Sequence, residues 1–226
     1  MNLLTRLRDR WQMHRLQGKA GAAPLLAYLA SPQAQPGLDW QDGRYLALDL
    51  ETSGGDASRD DILSFGWVCL DGAEIRLESA RHRLVRPRRN LTERNVSIHR
   101  ITDDRAAEGE SLRGVLADFL GDLRGRTLIA HYSPTEVGFI DVACRACFGG
   151  RFRPPVIDTL VLARRAAETP KAGSLRLAAL RARHHLPRYP MHHALSDALA
   201  AAELFLAQAQ AASASGKGRL GDLLLR

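Results

Sequence analysis

The sequence predicts an α/β domain in which a mixed five-stranded sheet is flanked by helices. Two observations carry this expectation. Between Tyr45 and Val85 three apolar segments follow one another with only turns between them, the pattern of a strand meander. After Ser111, helical and strand patterns alternate, which adds parallel strands through helical crossovers. The 226 residues suffice to bury a full core without disulfide staples. A content of 45% hydrophobic and 25% charged residues excludes a disordered or collagen-like chain.

Residues 1–40 read as a basic amphipathic helical extension and linker. Leu3, Leu4, Leu7, Trp11 and Leu16 recur at helical spacing among arginines. A short apolar piece covers Leu25 to Leu29. From Ser31 to Arg44 two prolines and two glycines interrupt any apolar period, which reads as a linker. The main domain is expected over residues 41–210. Tyr45 to Leu50 is a buried strand that ends in acids, and Ile62 to Leu70 and Ile75 to Val85 are the next two. Asp71-Gly72 is the turn of their hairpin. Ser111 caps a helix whose inner face is Leu112, Val115, Leu116, Phe119, Leu120 and Leu123. Thr127 to Ala130 is a short strand, and Pro134 to Phe148 a helix. Val156-Ile157 is the fifth strand, and Asp158 opens a helix. Leu175 to Arg183 and Ala194 to Gln210 are further helices. Residues 211–226, rich in Ala, Ser and Gly, read as a flexible C-terminal tail.

Three cysteines give no disulfide framework. Cys144 and Cys147 stand one turn apart on a helix, with no second pair to complete a zinc site. The first strand is followed by no G-x-G-x-x-G, and the chain holds no G-x-x-x-x-G-K-[ST], which disfavours dinucleotide and P-loop sites. The longest apolar stretch, Gly21 to Ala30, is half a membrane span and contains Pro24, so no stable membrane insertion is expected. Arg6, Arg8, Asp9 and Arg10 interrupt any signal-peptide core, so a cytoplasmic location is expected. The net charge is +7, and 29 of the 32 basic residues are arginine. That suits a phosphate-bearing partner, and it equally suits a GC-rich codon usage.

Three clusters of acids and histidines stand out. Asp49 and Glu51 lie two apart on the first strand and therefore project to one face, with Leu48 and Leu50 on the other. Paired carboxylates repel unless a divalent cation sits between them, and oxygen-only ligands favour a hard ion. Taken alone, acids at a strand end need no metal. The second cluster is His192-His193-Ala194-Leu195-Ser196-Asp197, at the start of an Ala-rich helix that can approach the sheet closely. An imidazole there suits proton transfer from water near neutral pH, and it equally suits plain solvent exposure. The third is His131-Tyr132-Ser133-Pro134-Thr135-Glu136, in which Glu136 enters the first turn of a helix, where the dipole also favours it.

Together these motifs resemble the DEDDh-type 3′–5′ exonuclease family, which includes the proofreading subunit of bacterial DNA polymerase III and ribonuclease T. Ser97-Ile98-His99-Arg100-Ile101-Thr102 resembles the family's I-H-G-I-T segment, and Ile157 to Arg164 its D-T-L-x-L-A-R segment. The resemblance covers about residues 44–210. It implies a ribonuclease H-like fold and a cofactor of two Mg²⁺ or Mn²⁺ ions. It further implies Asp49, Glu51 and Asp197 as ligands of one ion, Asp49 also on a second with Glu136 in support, and His192 as general base. Thr52, His99, Arg88 and Arg89 would meet the substrate. The implied reaction releases nucleoside 5′-monophosphates from the 3′ end of single-stranded DNA or short RNA.

The chain departs from the family in its second motif, which normally reads H-N-x-x-F-D. Glu136 replaces Asp, moving the carboxylate oxygens by about 1.5 Å, and Tyr132 and Thr135 replace Asn and Phe. Asp141 is the alternative acid. Arg81, Arg83, Arg86, Arg88, Arg89, Arg94 and Arg100 form a run suited to phosphate contact or to plain solvation. Trp67, Tyr132 and Tyr189 are the candidate stacking aromatics. Expected partners are single-stranded DNA or RNA, a homodimer partner, and a polymerase or clamp docked through the termini, for example by Gly218 to Leu225. Two rival readings stand beside the exonuclease. One is a non-catalytic nucleic-acid-binding module with an altered second acidic motif; the other is a nuclease acting on dinucleotides.

Overall fold

The computed structural model describes residues 3–33, 35–89, 103–166 and 173–225. Its centre is a sheet of β1 (Arg44–Thr52), β2 (Ile62–Asp71), β3 (Glu74–Leu84), β4 (Thr127–Ala130) and β5 (Val156–Asp158). The order across the sheet is β3-β2-β1-β4-β5. β2 is antiparallel to β1 and β3, while β4 runs parallel to β1 and to β5. This is the mixed sheet that the meander and the crossovers call for.

Strand alternation builds two core layers. Leu46, Leu48 and Leu50 of β1 join Phe65, Trp67 and Leu128 in one. Tyr45 and Ala47 join Val68, Leu70, Ile129 and Ile157 in the other. The first layer is covered by four helices: α1 (Leu3–Leu16), α2 (Ala23–Leu29), α4 (Leu112–Leu123) and α5 (Pro134–Phe148). Ser111 caps α4 by accepting the Gly114 N–H at 3.2 Å. Trp67 lies edge-on to Phe119 of α4, and its ring N–H donates to Asp122 at 2.9 Å. The second layer is covered by the long α8 (Ala194–Ala214), whose Ala198, Ala200, Ala201 and Ala202 are all buried. Small side chains let its axis lie close to the strands. Shorter helices complete the set: α3 (Asp103–Ala107), α6 (Thr159–Ala166), α7 (Leu177–Arg183) and α9 (Leu220–Leu223).

Both flanks of the sequence are packed. Leu16, Leu25 and Tyr28 belong to the first core layer, and Gln12 donates to the Arg151 carbonyl at 2.7 Å. The stretch read as a linker carries a short 3₁₀ turn, Trp40–Asp42, with Trp40 buried edge-on against Phe205. A lone tryptophan has no period, so the pattern missed it. The tail expected to be flexible after Ala211 instead extends α8 by a turn and adds α9, whose Leu220 and Leu223 are buried against Ile157 and Ala209 in the second layer. Those leucines serve the chain's own core, not a docking peptide. Asp158 closes β5 and caps α6 from outside, accepting the N–H of Leu160 at 2.9 Å and of Val161 at 3.2 Å. Among the described residues no helix is long and apolar enough to cross a membrane.

Because β1, β4 and β5 are parallel, their carboxyl ends share one edge of the sheet, where open α/β sheets bind ligands. The acids and histidines converge there.

Candidate active site

Asp49 and Glu51 leave β1 on the α8 face, and Asp197 comes from the first turn of α8. One oxygen from each of the three lies within 4.8 Å of the others. Burial, followed by the charges of Glu136, Glu51 and Asp197, holds the Asp49 carboxyl well above the usual carboxylate range. Burial and then Asp197 raise Glu51 to about 7. Asp197 is raised by burial, partly offset by the backbone N–H groups of His192 and His193. Glu136 faces Asp49 from the first turn of α5. It is 4% exposed, and its Oε2 is buried with no hydrogen-bond partner. Burial lifts it to about 8, and the Asp158 charge adds to the rise.

Four acids are pushed upward together, each chiefly by burial. An all-oxygen donor set with an orphaned buried carboxylate oxygen fits a hard divalent cation. Asp141 is engaged elsewhere: it accepts the Phe152 N–H at 2.9 Å and pairs with Arg151 at 3.0 Å and Arg145 at 3.3 Å.

The approach of α8 to Asp49 depends on a residue outside the acid and histidine motifs. Asp49 pairs with Gly66 of β2, and Gly66 pairs with His82 of β3, in one row across the sheet. A Cβ at Gly66 would sit 2.0 Å from Ala194 C and 2.1 Å from Leu195 N. The backbone at the start of α8 therefore rests in the space that a side chain would fill. An isolated glycine inside a strand signals such an approach, and Gly66 was legible on that ground.

His192 and His193 lead into α8. His192 is exposed, with φ at 64°, a left-handed conformation that costs a non-glycine residue free energy. Its N–H donates to Asp197 Oδ2 at 2.8 Å, and the His193 N–H reaches the same oxygen at 3.4 Å. The preceding segment is tied down by Arg181, 4% exposed, which donates to the carbonyls of Ala200 and Pro187 and to Glu203, each within 2.7 Å. Tyr189 also donates to Glu203, so it is not a free stacking platform. Trp67 is fully buried and is not one either.

On the β4 side, buried Asp158 accepts the N–H of Ser133 at 2.8 Å and of Tyr132 at 3.2 Å, and the Ser133 hydroxyl at 2.9 Å. With its two bonds into α6, one carboxylate fixes the turn that aims Glu136. Tyr132 sits in that turn at φ 71° and is 56% exposed. His131 is half-buried against Thr159, with Nδ1 2.8 Å from Oγ1, outside the group of three acids.

The residues expected to meet substrate divide. Thr52 follows a register shift at Glu51 and donates to the Gly54 carbonyl at 2.8 Å. Arg88 pairs with Asp61 at 2.5 Å while its side chain stays 70% exposed, and Arg89 is exposed. Arg83 spends its charge on Glu110 and Asp118 and is withdrawn from the phosphate-binding run. His99, Arg94, Arg100 and the whole Ser97–Thr102 motif lie outside the described residues.

A profile of the family described as Exonuclease matches residues 46–205. The chain belongs to the exonuclease family. Over 165 residues it is 31% identical to a DNA polymerase III PolC-type protein of Thermotoga maritima, covering 73% of this chain and 12% of that protein. It is 27% identical over 165 residues to the DNA polymerase III subunit epsilon of Aquifex aeolicus, covering 73% of this chain and 80% of that one. This family member thus spans a small part of its PolC-type relatives and most of the epsilon subunit. Among solved structures, the nuclease domain of 3′hExo, a DEDDh family member bound to rAMP, aligns with a TM-score of 0.67. That alignment has 15% identity and covers 84% of this chain and 99% of that one. Exonuclease X, solved in complex with 5′ overhanging duplex DNA, aligns with a TM-score of 0.59 and 22% identity, over 79% and 98% of the two chains. These structural likenesses establish the fold.

Proposed function

We propose that this chain is a metal-dependent 3′–5′ exonuclease that acts on single-stranded DNA or short RNA and releases nucleoside 5′-monophosphates. The observation that carries this reading is the meeting of Asp49, Glu51 and Asp197 oxygens within 4.8 Å, with His192 on the turn that Asp197 holds. Residues 41–210 carry the chemistry in this reading, and residues 1–40 brace it.

Asp49, Glu51 and Asp197 hold one divalent cation, and Asp49 and Glu136 hold a second. Bound there, Mg²⁺ or Mn²⁺ supplies positive charge to the entering and leaving oxygens of the phosphodiester. His192 stands exposed at the sheet edge and takes the proton of the attacking water. The Asp197 carboxylate does two things: it offers one oxygen to the acid cluster and fixes the His192 backbone with Oδ2. Thr52, His99, Arg88 and Arg89 receive the strand, with exposed Arg89 meeting phosphate directly. Kinship with DNA polymerase III proteins supports a polymerase partner.

The test is degradation of 5′-labelled single-stranded DNA and RNA with Mn²⁺, Mg²⁺ or EDTA, for wild type, Asp49→Ala and His192→Ala. The expected result is a metal-dependent ladder that shortens from the 3′ end and is absent from both variants. Protein that binds the strands and cleaves with neither ion overturns the reading.

A further inference from the structure

His82 is not among the acids and histidines that the exonuclease reading uses, yet it occupies the same row of the sheet. Asp49, Gly66 and His82 are consecutive partners across β1, β2 and β3. The middle position is empty of side chain and filled by the backbone of Ala194 and Leu195. The start of α8 is therefore bounded by a metal-site carboxylate on one side and by the His82 ring on the other. The His82 ring lies against His193, with centroids 4.2 Å apart and planes 36° from parallel. His193 in turn caps α8, its Nδ1 3.4 Å from the Ser196 N–H and 3.2 Å from the Ser196 hydroxyl. The next residue back is His192, held at positive φ with its N–H on Asp197.

We propose that His82 is a positioning residue: its ring, stacked on His193 beside the Gly66 seat, fixes the turn that presents His192 and Asp197 to Asp49. The proposal rests on the exonuclease reading for its kinetic consequence, and its geometric consequence stands without it. The stack is built for contact and not for proton transfer. Burial, then the nearby His193 and Arg105, depress His82 to about 4, so its ring is neutral near pH 7. A neutral ring stacks on His193 without charge repulsion. The turn it supports needs support, because a non-glycine residue at positive φ persists only where its surroundings over-determine it. Nothing in the ring's role requires its nitrogens, so a phenyl ring can stand in for it.

The experiment compares His82→Ala, His82→Gln and His82→Phe with wild type, each below its melting temperature. Three quantities are read: kcat and KM on single-stranded DNA with Mn²⁺, and Mn²⁺ affinity by electron paramagnetic resonance without substrate. We expect His82→Ala and His82→Gln to lose about tenfold in kcat, with KM within about twofold, and to bind Mn²⁺ about tenfold more weakly; a displacement near 1 Å at a catalytic group has effects of this size or larger. His82→Phe restores kcat and Mn²⁺ affinity to within about threefold of wild type, on the same ground. Should His82→Ala fail to fold, the Gln and Phe variants decide. Wild-type kinetics in His82→Gln, a rise in KM with kcat unchanged, or a His82→Phe as impaired as His82→Gln overturns the proposal. Inactive wild type would overturn the exonuclease reading, and the Mn²⁺ affinities would still decide the role of His82.

Discussion

Replacing Gly66 with alanine adds one methyl group where α8 meets the sheet. The new Cβ would lie 2.0 Å from Ala194 C, where ordinary contact begins at 3.4 Å, a shortfall of about 1.4 Å. The three nearest atoms all belong to the backbone of Ala194 and Leu195, so no side-chain rotation relieves the clash. Either α8 lifts from the sheet by about 1 Å or β2 sinks by as much; overpacking of this kind costs about 1–3 kcal/mol. The functional cost is larger. Asp197 lies within one turn of Ala194, and a hard cation accepts oxygen ligands over only a few tenths of an ångström. A 1 Å displacement of such a group lowers kcat by about 100-fold. The assay is single-turnover cleavage of 5′-labelled DNA with saturating Mn²⁺, alongside a melting curve. The expected Gly66→Ala protein is folded, melts several degrees lower and cleaves about 100-fold more slowly. A variant that cleaves at the wild-type rate would refute the argument that the bare strand position seats α8.

Three further outcomes follow from the site. Glu136→Asp should keep or raise cleavage, and Glu136→Ala should lower it by about tenfold or more if the orphaned Oε2 serves a cation; full activity in Glu136→Ala would remove Glu136 from the site. The metal-free protein should lose stability as pH rises from about 4.5 to 8, because the four raised acids bind more protons in the folded than in the unfolded state across that window. The depressed His82, His131 and His184 oppose this gain only below about 6.5. Glu51, raised from 4.5 to about 7, is worth about 3 kcal/mol below its unfolded pKa, a contribution lost as pH climbs through 7. Glu136, raised to about 8, acts in the same direction. Melting temperatures from pH 5 to 8 check this, and Mn²⁺ should raise them more at pH 8 than at pH 5. Asp158→Ala leaves five hydrogen-bond donors without their acceptor and should cost about 3 kcal/mol or more by urea denaturation; a loss under about 1 kcal/mol would show that water replaces the carboxylate.

Much of this protein is written in local pattern. The three meander strands, the crossover helices and the faces of α4 and α8 follow from apolar periods of two and 3.6, which neighbouring residues carry by themselves. Asp49 and Glu51 share a face for the same reason, and Asp197 lies one turn into α8 in the sequence as in the structure. Isolated apolar residues have no period, so Trp40, Leu220 and Leu223 read as linker and tail until the fold buried them. An arginine run likewise says nothing of its partners: Arg83 turns to Glu110 and Asp118, and Arg88 to Asp61, through contacts distant in the chain. The register that lines up Asp49, Gly66 and His82 belongs to three strands at once. No single segment encodes it, because hydrogen bonding between strands sets the row and the docking of α8 gives it meaning. Sequence alone therefore picked out the acids and histidines of the candidate site, and tertiary structure decided which silent residues, a bare glycine and a stacked imidazole, lie beside them.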